Sequence, residues 1–267
     1  MRKLIGLAVA TMMTVSACGE GGLVLTEDAD APVLQIRSEG GLVPIERIDT
    51  WGPSYTLLTD GRLIHEGPVT MIYPGPLLPN TQVATVTGEE MDRILGLIEE
   101  IGLPGMVSER DDSASGDIAD ATTEVLTYWD ADGEHTYSVY ALGMHSDPTP
   151  ATAAAAELVE TLSAATFSGE SEPYAGDRVR VIAGVSQLVP EPGFEDIRPW
   201  PLPGEDPGEW ARVASGRSCQ VFGPGTFEIF TDATQVTQWL HPNPMMDAPT
   251  YTLVVRQLHP GEPDCPV

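Results

Sequence analysis

The chain has 267 residues, 40 of them Asp or Glu and 13 Lys or Arg, for a net charge of −27 at neutral pH. A hydrophobic content of 42% suffices for one large domain or two ordinary ones, which sets the chain apart from disordered polyelectrolytes. So acidic a surface repels phosphate backbones and anionic headgroups. Beyond the first residues no run of basic side chains offsets it, so nucleic acid is not expected as a partner.

Arg2 and Lys3 open the chain, and residues 4–15 form an apolar stretch too short to span a bilayer as a helix. The stretch ends in Val15-Ser16-Ala17-Cys18. A basic start, a short apolar core and this tetrapeptide together resemble the signal region of bacterial lipoproteins. The resemblance implies cleavage before Cys18, loss of residues 1–17 as a signal peptide, and lipid on Cys18. The protein would then sit on the outer face of the cell membrane. An ordinary secretory signal or a buried N-terminal segment is the other reading. Lipid anchoring through two acyl chains is stable where one chain is not. Cleavage would leave eleven basic residues, all arginine, against 40 acidic ones, a net charge of −29. Because Lys3 is the sole lysine, Schiff-base, P-loop and Ser-x-x-Lys chemistry would all be absent from such a mature chain.

Residues 18–31 read as the lipidated Cys followed by a flexible acidic tether, holding the domain roughly 20 Å from the membrane. An N-terminal α+β half is expected over 32–167. It opens with an alternating strand at 33–37 and continues with a hairpin at 55–66, whose Asp60-Gly61 suits a type I′ turn. Residues 73–80, with three prolines, read as a rigid loop. Thr87-Gly88-Glu89-Glu90 has capping-box form, with Met91, Ile94, Leu95, Ile98 and Ile101 at helical spacing and Gly102 and Pro104 as the stop. After an acidic loop at 108–120 come a second hairpin, 122–142, and an Ala-rich helix from Pro148 or Pro150 to about Ala165.

A C-terminal α+β half is expected over 168–267. It begins with a connection to residue 178, a strand within 176–186 and a Pro-rich loop at 190–208. A short strand at 219–222, a short helix near 225–233 and a closing hairpin from 236–240 and 250–258 follow. The fold class read from this order is α+β, mostly antiparallel sheets built from hairpins with a few packed helices. Asp120-Ala121-Thr122 with Trp129, and Asp232-Ala233-Thr234 with Trp239, recur in the same order around hairpins. Two similar halves or a coincidence between hairpins would account for that echo equally.

The stretches GGLVP (40–44), YTLLTDGRLI (55–64), YPGPLLP (73–79) and VVRQLHPGEPDC (254–265) are similar to those of uncharacterised secreted lipoproteins of high-GC Gram-positive bacteria. That resemblance bears on location and architecture and implies no mechanism.

With Cys18 lipidated, Cys219 and Cys265 remain as an even pair in an exported, oxidising context, which favours a disulfide fastening the C-terminal tail. Asp111, Ser113, Ser115 and Asp117 place oxygens at the spacing of an EF-hand loop around Gly116, so calcium is the one candidate cofactor. Position 12 of that loop is Thr122 in place of a bidentate Glu, and a solvated acidic loop is the plainer reading. The five histidines, His65, His135, His145, His241 and His259, form no metal motif and lie near no G-x-S-x-G elbow. Trp51, Trp200 and Trp210 stand in Pro/Gly-rich loops, where they either stack on sugars or a partner or pin the loops to the core. The expected function is non-catalytic binding or scaffolding at the cell envelope, with membrane contact through Cys18 and an envelope protein or glycan as partner. The alternative is an envelope hydrolase using an acidic pair or an unrecognised Ser/His site.

Overall fold

The computed structural model describes residues 23, 25–42, 52–106, 108–113, 118–168, 170–186, 195–242 and 250–265. The signal region, Cys18 and Trp51 lie outside them, as do Ser115, Asp117 and the 190–194 part of the Pro-rich loop. Alternating sequence produces two mixed, mostly antiparallel sheets, so the architecture is α+β.

The first sheet contains β1 (Pro32–Gly40), β2 (Tyr55–Leu58), β3 (Arg62–Glu66), β4 (Thr81–Thr85), β5 (Glu109–Asp111), β6 (Thr122–Asp130), β7 (Gly133–Tyr140) and β8 (Ser171–Pro173). Their spatial order is β5-β7-β6-β1-β2-β3-β4-β8. The predicted hairpin at 55–66 forms, pairing Tyr55 with His65 and Leu57 with Leu63. Its turn is not type I′, because Gly61 takes a positive φ of 87° while Asp60 does not. Gly61 N–H instead donates to Leu58 O at 3.0 Å, so Thr59, Asp60 and Gly61 make a three-residue loop whose left-handed position needs the glycine. The connection expected at 168–178 supplies β8, an added edge strand on β4, so the first sheet reaches past residue 168.

Helix α1 (Gly88–Ile101) starts on the full Thr87–Glu90 capping box and stops at left-handed Gly102. Helix α2 runs Pro150–Ser168. Register places Leu34, Leu57, Leu63, Leu126 and Tyr137 on one face of the sheet. Ile94 and Ile98 of α1 and Ala155, Leu158 and Leu162 of α2 bury against that face. The opposite face carries Gln35, Thr56, Ile64 and Thr127, a polar-apolar mixture that calls for a second layer. Part of the expected tether is docked as well. Leu23 and Leu25 pack against the helical core, Thr59 N–H donates to Ala31 O at 3.1 Å, and Arg62 pairs with Asp30. Apolar side chains and a complementary charge dock this part, where its acids suggest a free segment.

The second sheet contains β9 (Val179–Val185), β10 (Ile197–Arg198), β11 (Ala211–Arg212), β12 (Ser218–Phe222), β13 (Gln238–Trp239) and β14 (Tyr251–Gln257), ordered β10-β13-β14-β9-β12-β11. A 3-10 helix, Pro224–Phe230, occupies the expected short-helix position. Strand number, order and helix content differ between the sheets, so the Asp-Ala-Thr echo belongs to two hairpins and not to a repeated topology. Trp200, Trp210 and Trp239 pack into one core with Phe230, which identifies Trp200 and Trp210 as loop pins.

One face of β9 and β14 presents Arg180, Ile182, Val254 and Arg256 to the C-terminal tail. The tail is fastened by the Cys219–Cys265 disulfide, as the cysteine pairing predicts. Glu262 receives two guanidinium bonds from Arg256, each 2.7 Å, and a 2.8 Å bond from His259 N–H, while Arg180 lies 3.8 Å away. All four side chains are buried. The tail also ties the sheets together. His259 Nδ1 lies 2.9 Å from Thr56 Oγ1, Gln35 Nε2 donates to Pro260 O at 2.6 Å, and Tyr174 OH donates to Leu258 O at 3.0 Å.

Burial holds the His259 imidazole neutral, its pKa pulled down from 6.5 to about 4, with Arg256 adding to the depression and Glu262 opposing it. In the unfolded chain His259 takes a proton near 6.5, which the folded protein refuses until about pH 4. Stability is therefore full above 6.5 and falls as pH drops to about 4, by about 3 kcal/mol for that group. Glu262, also depressed, loses its contribution only below the ordinary carboxylate range. Urea unfolding midpoints between pH 7 and 4.5 should fall chiefly through this histidine, with His135, whose pKa is raised by its bond to Asp130, acting in the opposite sense near neutral pH. His259→Gln should flatten the slope whatever it costs at neutral pH, and a slope equal to the parent's would show that His259 is not the group.

Candidate functional site

Strand β3 ends at Glu66, where Gly67 and Pro68 break the ladder. The segment 67–80 then crosses from the first sheet to the second. Its base is closed by Gly67 N–H donating to Asn80 O at 2.7 Å and Asn80 Nδ2 donating to Pro68 O at 2.8 Å. Its far side is bonded to the second half, Leu77 N–H to Ala233 O at 2.9 Å and Gln235 N–H to Gly75 O at 2.9 Å. Leu77 and Leu78 enter the tryptophan core. Held at both ends, the loop exposes Val69, Met71, Ile72 and Tyr73, with Met71 98% accessible. Four apolar side chains thus stand in water on a segment pinned by hydrogen bonds, an exposed patch of the kind that interaction surfaces present.

These residues form one wall of a groove of about 1230 Å³. Parts of β9 and β14, Ala183 to Val185 and Tyr251 to Arg256, also line it, as do Arg212 and residues 215–218. Among its described lining residues Glu66 is the one acid, against Arg212, Arg217 and Arg256. That reverses the balance of the whole chain. Arg256 is committed to Glu262, but Arg212 is exposed, and Arg217 lies over Gly184, where a side chain would collide with its guanidinium. Arg217 Nη2 donates to Thr252 Oγ1 at 3.4 Å, and Arg212 Nη1 to Gly216 O at 3.0 Å. Arg178, Arg180 and Arg256, far apart in sequence, meet under the C-terminal tail, where Asp264 and Glu262 pair with them.

A second hollow of about 840 Å³ lies along α2 beside Glu90, Arg93, His145 and Thr152. Near it Asp111, the last residue of β5, accepts from Ser113 N–H at 2.9 Å and from the Thr152 hydroxyl. The Ser113 side chain first, then the Thr152 hydroxyl and the Ser113 N–H, hold its carboxyl down at about 2. This is the described part of the expected calcium loop. Asp111 sits in a strand with its carboxylate already engaged, and among the described residues no group of three or more His, Cys, Asp and Glu side chains converges on a metal position. Ser113 Oγ lies 3.2 Å from His145 Nδ1, and His145 Nε2 lies 2.8 Å from Tyr140 O. The carbonyl selects the tautomer with Nε2–H, leaving Nδ1 as acceptor for the serine. This is a Ser/His contact that sequence spacing could not reveal, since 32 positions separate the two. Asp111 serves Thr152 and the backbone, and a carbonyl, not a carboxylate, orients the imidazole.

The other histidines are structural. His65 and His135 are buried on β3 and β7, His135 between Met106 O at 2.8 Å and Asp130 at 3.0 Å. His241 stacks 5.7 Å from the Tyr251 ring. Comparison of the chain with protein-family models, curated proteins and solved structures finds no match.

Proposed function

We propose that the protein is a lipid-anchored, extracytoplasmic, non-catalytic binding or scaffolding protein of the cell envelope, and that the groove under residues 67–80 is its working surface. The lipobox-like Val15-Ser16-Ala17-Cys18 and the Cys219–Cys265 disulfide support the location. The observation that carries the binding reading is the exposed Val69-Met71-Ile72-Tyr73 set, held over the groove by hydrogen bonds at both ends of its loop. An envelope protein or glycan remains the class of partner expected for such an address.

Two variants test the two parts separately. Cys18→Ser should move the protein from the membrane fraction to the medium or leave it as unprocessed precursor, and unchanged membrane retention overturns the anchor. Met71→Asp with Ile72→Asp should abolish at least nine-tenths of whatever envelope component copurifies with the parent, read by mass spectrometry. Equal recovery by parent and variant overturns the groove as the working surface.

The hydrolase alternative rests on the Ser113–His145 contact. Labelling of the protein by a fluorophosphonate, lost in Ser113→Ala, would favour it over a binding role.

A further inference from the structure

We infer that residues 68–73 dip into the face of a lipid bilayer, with Val69, Met71 and Ile72 entering the acyl boundary and Tyr73 held at headgroup level. This rests on the reading of a lipid-anchored protein whose exposed set is a contact surface, and it assigns that contact to the membrane itself.

Charge is the first support. Asp, Glu, Lys and Arg make up 20% of the chain, yet none stands anywhere from Gly67 to Asn80. A protein partner is met through an apolar centre with a polar rim, whereas a lipid interface penalises every ionised group that enters it. An uncharged segment on so acidic a chain fits the second. Every residue from Pro68 to Tyr73 is exposed, with the aliphatic side chains at the tip. Tyr73 closes the run with an apolar ring and a polar hydroxyl, the combination favoured at membrane–water boundaries.

Backbone chemistry points the same way, because polar groups taken out of water must be paired or absent. Pro68, Pro74, Pro76 and Pro79 carry no N–H. Gly67 N–H, Leu77 N–H and Gly75 O are already bonded to Asn80, Ala233 and Gln235. Interfacial segments enter only about 5–10 Å, which leaves the remaining backbone groups among hydrated headgroups. The bonds at both ends also display the side chains before any contact, so little ordering is left to be done on the membrane. Chain length supplies the last support. Leu23 and Leu25 pack against the helical core, so from Cys18 to Leu23 the chain reaches roughly 18 Å at full stretch. So short an anchor presents the domain to the bilayer at high effective concentration, where a small apolar contact suffices.

The test places a nitrobenzoxadiazole dye on Met71→Cys in the lipidated protein, purified from membranes and reconstituted into phosphatidylcholine vesicles. Cys219 and Cys265 are joined to each other and Cys18 carries the lipid, so the new thiol takes the dye. Phosphatidylcholine with a nitroxide high on its acyl chain should quench at least half of the emission. Adding Val69→Asp and Ile72→Asp, both at exposed positions, should cut that quenching at least threefold. Replacing half of the lipid by an anionic one should not raise it, since the acidic domain is repelled by such a surface. Unquenched emission in protein that floats with the vesicles overturns the inference and leaves the anchor standing. Emission shifted to the blue but unquenched also overturns it, because a protein surface or a second copy then covers the loop. A requirement for anionic lipid, or quenching that both aspartates leave intact, does the same. If the protein fails to float, the anchor falls and the inference with it. If quenching fails while recovery of an envelope component still depends on Met71 and Ile72, the bilayer alone is the wrong occupant. If that recovery is also unaffected by those residues, the contact-surface reading falls too.

Discussion

Glu262→Gln is expected to destabilise the protein by about 3–5 kcal/mol, a large share of the stability of an ordinary domain. The side chain is isosteric and keeps a hydrogen-bonding oxygen, so packing changes little. What changes is charge. Arg256 loses a bidentate partner at 2.7 Å and Arg180 its nearest carboxylate at 3.8 Å, both inside the protein. Burial already pulls the Arg180 guanidinium down to about 10, with Glu262 the main influence opposing that fall. Removing the acid leaves Arg256 without its carboxylate and Arg180 with its bonds to the Asp264 and Pro263 carbonyls in place of its nearest one, and it is this poorly compensated charge, more than the lost attraction, that costs stability. Arg256→Met should relieve the Glu262→Gln background, giving a double variant markedly less destabilised than the sum of the two single changes. Urea unfolding at neutral pH reads all four proteins. A loss below 1 kcal/mol for Glu262→Gln would mean that water reaches the cluster.

That cluster also marks where sequence reasoning stops. Local signals act over a few residues and were legible. Thr87–Glu90 is a capping box, Gly102 ends its helix, Asp60-Gly61 makes a hairpin, and Cys219 pairs with Cys265. The exact turn at 59–61 was not, because a glycine in the left-handed region serves both turn types and only strand register decides between them. Arg180, Arg256 and Glu262 read separately as surface charges on an acidic chain. They meet because β9 and β14 pair in a register that sets Arg180 opposite Arg256, and because a disulfide lays the tail across both. His259, beside Pro260 in the sequence, is 3% exposed for the same reason. The groove was half legible. The rigid 73–80 loop follows from its prolines, but its exposed face depends on bonds to Ala233 and Gln235, more than 150 positions away.

Removing the disulfide by Cys219→Ala with Cys265→Ala is expected to cost about 4 kcal/mol, because it opens a covalent loop between cysteines 46 positions apart and restores that entropy to the unfolded chain. Reduction of the parent should give the same loss, and the alanine pair should be indifferent to reductant. The tail makes a sharper expectation possible. Cys265 packs beside Ile182, Val213 and Cys219, and the same tail carries Glu262 to its arginines and His259 to Thr56. Breaking the covalent link and breaking the ion cluster therefore weaken one docking event. In the cysteine-free background Glu262→Gln should cost clearly less than in the parent, since a tail that is already partly released lets water reach Arg180 and Arg256. If instead the two losses add, the tail stays docked without its disulfide, and the ion cluster with the bonds to Gln35 and Thr56 suffices to hold the second sheet against the first.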